Sequence, residues 1–117
     1  MSKYQSYYNK TTNNLSHGSQ YLSFPEQVHP YTAVIVNLSS DVNLELSCEW
    51  SNDNINYEFV EKINVFAGNS LSVRLPNQSS WFRTRVTNNS GSTSSYLRLH
   101  CHFADETTSY NPLPRGS

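Results

Sequence analysis

A chain of 117 residues is the size of one domain and can bury a core without disulfide or metal staples. Hydrophobic residues make up 36% and charged residues only 15%; the polar remainder is mostly Asn, Ser and Thr, which favour turns and strands and leave little from which to build helices. A formal net charge of −1 lacks the basic excess that non-specific nucleic-acid binding uses to displace counterions, and no apolar run could span a bilayer.

Residues 1–27 are rich in Tyr, Ser, Asn and Gln and show no sustained periodicity, so they read as an N-terminal arm. The start, Met-Ser-Lys-Tyr-Gln-Ser, has no apolar signal-peptide core, and synthesis in a cytoplasm is the expectation. The domain proper is expected over residues 28–103. Strands are expected at 31–38, 42–50, 57–66 (whole or as two pieces), 70–75, 80–87 and 93–103.

From Val42 to Trp50 apolar and polar residues alternate without a break. Leu71, Val73 and Leu75 alternate with Ser70, Ser72 and Arg74; Leu97, Leu99, Cys101 and Phe103 alternate with Arg98, His100 and His102. A twofold period shows one face to a core and the other to water. Turn chemistry separates the runs at Ser39–Asp41, Ser51–Asn54, Ala67–Asn69, Pro76–Gln78 and Asn88–Gly91. The pattern predicts an all-β fold, a single antiparallel two-sheet sandwich of jelly-roll or Greek-key type, with extended N- and C-terminal arms. Residues 104–117 read as a polar C-terminal tail. Its last five, from Leu113 to Ser117, are close to a thrombin-cleavage remnant but lack its Val and fit a native tail equally well, so they enter no functional argument.

Cys48 and Cys101 fall on inward positions of two strands. An inter-sheet disulfide and a pair of buried free thiols both fit that placement; the missing Tyr two residues before Cys101 and the position of Trp50 separate the chain from the immunoglobulin pattern and favour free thiols. His100 and His102 share one strand face, the spacing of two metal ligands, but no motif offers a third. Gly-x-Ser-x-Gly, phosphate-loop and His-Glu-x-x-His motifs do not occur, and Asp41, Asp53, Asp105 and Glu106 lie in turns or tail. No enzyme activity and no cofactor are expected.

The segment 80–87 carries more. Trp81, Arg83 and Arg85 share its outward face, and Tyr96, Arg98 and His100 point outward from 93–103. Were these two strands to pair, Trp, Tyr and several Arg would form one exposed surface. Such residues dominate interface hot spots, because each buries much area and Arg bonds in a fork.

Cys48-Glu49-Trp50-Ser51-Asn52-Asp53-Asn54-Ile55-Asn56-Tyr57 resembles a hairpin of β-sandwich domains in virion structural proteins of tailed phages and large DNA viruses, with Asn54 where Gly is usual. Trp81-Phe82-Arg83-Thr84-Arg85-Val86-Thr87-Asn88-Asn89-Ser90-Gly91, followed by Tyr96-Leu97-Arg98-Leu99, is similar to the matching C-terminal strands. The resemblance spans about residues 42–100. It implies a minor capsid, cement or fibre-type subunit located in the virion, partnered by other virion proteins or by its own copies in an oligomer or lattice. The arms would then reach across neighbours and bury Tyr4, Tyr7, Tyr8, Tyr21 and Phe24. The alternative expectation is a lectin-like module that reads glycans through Trp50, Tyr57 or Trp81.

Overall fold

The computed structural model describes residues 3–28 and 31–104, which form nine strands and no helix. They are β1 (Lys3–Thr11), β2 (Gln20–Leu22), β3 (Glu26–Gln27), β4 (Ala33–Ser40), β5 (Leu44–Ser51), β6 (Phe59–Val65), β7 (Ser70–Pro76), β8 (Trp81–Asn88) and β9 (Leu97–Ala104). One sheet has the order β1-β9-β4-β7; the other has β2-β8-β5-β6, with β3 also on the outer side of β8. All pairings are antiparallel. The two-sheet sandwich expected from the sequence is the observed architecture.

The inward positions read from the alternation build the core. Val34, Val36, Leu38, Leu97, Leu99, Cys101 and Phe103 come from one sheet, and Leu44, Leu46, Cys48, Trp50, Phe82 and Val86 from the other. An aromatic column ties the layers together: Trp50 and Phe82 lie 5.2 Å apart, and Phe82 meets Phe103 edge-on at 6.1 Å. The indole N–H of Trp50 donates to Asn77 Oδ1 at 3.1 Å, while the Asn77 amide donates to the carbonyl of Tyr31. At the Ser51–Asn56 turn, Asn54 holds a φ of 61°, the left-handed geometry that Asn tolerates where Gly would be usual. Asp53 accepts from the backbone N–H of Asn56 and Ile55, so its carboxyl lies well below the ordinary range.

The N-terminal segment departs from expectation. Residues 3–27 are not an appended arm: β1 pairs along β9, and β2 and β3 pair along β8, so this segment supplies an edge to both sheets. Its buried polar residues satisfy one another. Asn9, fully buried, accepts from Ser23 Oγ at 2.6 Å and Thr84 Oγ1 at 2.9 Å and donates to Glu26 Oε1 at 2.6 Å. Ser6 also donates to Glu26 and accepts from the Asn9 N–H. The β1 register shifts between Gln5 and Lys10, a bulge that breaks the strand period and with it the sequence signal. Beyond Ala104 the C-terminal tail lies outside the described residues, as do Met1, Ser2, His29 and Pro30. Among the described residues no helix is long and apolar enough to cross a membrane.

Strand β9 starts at Leu97 rather than at residue 93. Asp41 holds the preceding loop, accepting from the Ser95 backbone at 2.9 Å and from its hydroxyl, and these bonds lower the Asp41 carboxyl. The 57–66 region is one strand, β6.

Candidate functional site

The period-two reading of 80–87 is correct, and β8 turns Trp81, Arg83 and Arg85 outward while Phe82, Thr84 and Val86 enter the core. Pairing of β8 with β5 then sets Glu49 beside Arg83 and Ser47 beside Arg85. Glu49 Oε1 accepts from Arg83 Nε at 2.7 Å, and Oε2 accepts from Arg85 Nε at 3.1 Å and from Ser47 Oγ at 2.9 Å. The guanidinium of Arg83 also lies 3.8 Å from the centroid of the Tyr57 ring, and Arg85 donates to Gln20 Oε1 at 3.2 Å. This is a braced plate: one carboxylate, two guanidinium groups and an aromatic face, with Trp81 at the end of the same strand.

The electrostatics follow from that bracing. Burial by itself would raise the Glu49 carboxyl, but hydrogen bonds from Arg83, Arg85 and Ser47, with the charge of Arg85, outweigh it and hold the group below its ordinary value. A carboxyl with a lowered folded-state pKa contributes stability in full above the unfolded carboxylate range and loses it as pH falls through the folded value. Glu49→Gln is therefore expected to cost about 1–2 kcal/mol at neutral pH, with the difference from the unsubstituted protein vanishing once both are held well below pH ~4. Urea unfolding across that range measures it; a penalty independent of pH would show that the charge is irrelevant.

The condition for one merged surface, pairing of the two strands, is not met. Strands β8 and β9 lie in different sheets, so Trp81, Arg83 and Arg85 occupy one outer face while Arg98 and His100 occupy the opposite one. Tyr96 stands just ahead of β9, its ring 5.1 Å from the Arg98 guanidinium. Among the N-terminal aromatics, Tyr21 packs against the core and donates its hydroxyl to the Lys10 carbonyl at 3.1 Å, so it is not a free interface side chain. Phe24 is 73% exposed in the break between β2 and β3. Tyr4, Tyr7 and Tyr8 fall on β1.

Of the glycan-stacking candidates, Trp50 is excluded by burial at 1% exposure, and Tyr57 already carries Arg83 on its ring. Sequence reasoning missed Glu49, Ser47, Tyr57 and Gln20 as members of this plate; outward alternation marked Glu49 as solvent-facing, but nothing local pointed to its partners.

The two thiols are free and buried. Burial pushes Cys48 up to about 12 and Cys101 well above its ordinary value, so neither is a thiolate nucleophile at neutral pH. Among the described residues, no three His, Cys, Asp or Glu side chains, His100 and His102 included, gather into a group that could hold a metal ion.

No protein-family model matches the chain, and no curated protein matches it. Solved structures do. The exported protein XepA of PBSX superposes with a TM-score of 0.78 at 16% identity, over 92% of this chain and 39% of that one. The chain thus spans about two fifths of the length of XepA. A structure of Bacillus endospore appendages, described as disulfide-linked pili, is similar at a TM-score of 0.50 and 11% identity, covering 90% of this chain and 92% of that one. At these identities the likeness establishes a shared fold.

Proposed function

We propose that the protein is a non-enzymatic structural subunit of a virion, of minor capsid, cement or fibre type, which works by binding neighbouring subunits through the surfaces of its sandwich. The observation that carries this reading is the coverage of 92% of the chain by the fold of the PBSX exported protein XepA. The pilus-forming neighbour supports the same class, an exported or surface-displayed subunit that assembles. The braced plate on the outer face of β5 and β8 is suited to such contacts. Its Arg side chains are fixed before any partner arrives, so little rotamer freedom remains to be lost on docking.

Mass spectrometry of purified particles tests the reading: the chain is expected in a defined, repeated copy number, and its absence would defeat the proposal. Within particles, Trp81→Ala is expected to reduce incorporation about tenfold or more while the purified variant still melts cooperatively, since an interfacial Trp typically contributes a hot spot. Unchanged incorporation would remove this face from the assembly contacts.

A further inference from the structure

Among the described residues, one flank of the sandwich is closed and the other is open. On the closed flank, β1 and the β2–β3 edge are joined by the buried Asn9–Glu26–Ser23–Thr84 bonds. On the open flank the sheets end in β6 and β7, and the inward residues Ile63, Leu71, Val73 and Leu75 are only partly buried. Phe59 and Val60 on β6 and Phe66 in the following turn are exposed, Phe66 at 61%. Long apolar edges of this kind invite pairing with another chain.

We propose that β7 pairs antiparallel with β7 of a second copy, about a twofold axis at Val73. The pattern of β7, Ser-Leu-Ser-Val-Arg-Leu-Pro, is self-complementary in that register. Val73 faces Val73, Leu71 faces Leu75, and Arg74 faces Ser72, so no like charges oppose and all three apolar side chains meet across the junction. Shifting by two residues one way sets Arg74 against Arg74; shifting the other way leaves Leu75 opposite Asn69. Full-length self-pairing of β6 would centre on Lys62 and oppose two ammonium groups, so β7 is the strand chosen.

A second feature fits the same axis independently. At the C-terminal end of β7 lies a cavity of about 410 Å³ lined by Trp50, Phe59, Leu75, Pro76 and Gln78, among others. At the N-terminal end of the same strand projects Phe66. Antiparallel pairing centred on Val73 carries the Phe66 turn of each copy over the Pro76–Gln78 segment of the other, so that an exposed ring meets a space large enough to hold it. The two ends of one edge are knob and hole for each other.

This dimer deepens the structural-subunit reading and rests on it for its purpose, but not for its detection. Sedimentation velocity of the purified full chain is expected to show a dimer at submillimolar concentration, weakened about tenfold or more by Phe66→Ala. Thermal melting should show Phe66→Ala still folded, because that ring is exposed in the single chain. Under mild copper-catalysed air oxidation, Val73→Cys is expected to cross-link to itself, whereas Ser70→Cys, facing Pro76, is not. A monomer throughout, or a dimer indifferent to Phe66→Ala and equally cross-linked by both cysteines, would overturn the proposal. Such a failure would leave particle incorporation untouched. Conversely, absence from particles would defeat the subunit reading while a solution dimer stood.

Discussion

Deleting residues 1–27 is expected to abolish cooperative folding rather than detach a tether. The deletion strips β1 from β9 and β2 and β3 from β8, exposing one long edge of each sheet. It also uncovers the core where Leu15 and Tyr21 pack. Groups on the inner strand β8 lose their partners, among them the Thr84 N–H, bonded to Ser23 Oγ at 3.0 Å, the Thr84 hydroxyl, bonded to Asn9, and the Thr84 carbonyl, bonded to the Ser23 N–H. Each polar group left without a partner in what remains buried costs about 1–3 kcal/mol, against a total stability of ~5–15 kcal/mol for a domain of this kind. Together with the lost apolar cover, that exceeds what the remaining strands can hold. Circular dichroism and thermal melting of the 28–117 fragment decide it; a sharp melt close to that of the full chain would restore the view of residues 1–27 as an arm.

Trp50→Ala is expected to destabilise the fold far more than any substitution on the outer faces, by about 3–5 kcal/mol, because it empties the aromatic column between the sheets. It also removes the indole donor of Asn77 Oδ1 and so loosens the side chain whose Nδ2 amide anchors the segment ahead of β8 to the segment ahead of β4. Trp81→Ala, at the half-exposed end of β8, is expected to cost about 1 kcal/mol or less. With only two tryptophans in the chain, fluorescence separates them: Trp50 should supply the blue-shifted emission that disappears on urea unfolding. Equal stability losses at both positions would mean that Trp50 is not the central packing residue. Binding of a saccharide lost in Trp50→Ala with stability intact would restore the glycan-stacking role that burial denies to Trp50.

The sandwich itself was legible in the alternation. Period two from Val42 to Trp50, from Ser70 to Leu75 and from Leu97 to Phe103 assigned the core side of each strand, since every second side chain of an extended backbone points the same way. The turn at Asn54 was readable for a similar reason: its left-handed geometry is a property of that residue and its immediate neighbours. Trp81, Arg83 and Arg85 were correctly placed on one outward face by the same local rule.

Which strand lies beside which is a different kind of information. Glu49 and Arg83 are separated by 34 positions and meet through the β5–β8 register, which hydrogen bonding and core packing between distant segments select. The same nonlocal choice sent β8 and β9 to opposite sheets and parted Arg83 and Arg85 from Arg98. At the N-terminus a bulge broke the period, and polar Ser6, Asn9, Ser23 and Glu26 became interior because they bond to one another there. Sequence determined the two-faced strands and their turns, because sterics act between adjacent residues. Only the tertiary structure decided the neighbours, the closed flank and the open one, because those depend on partners that the chain brings together by folding.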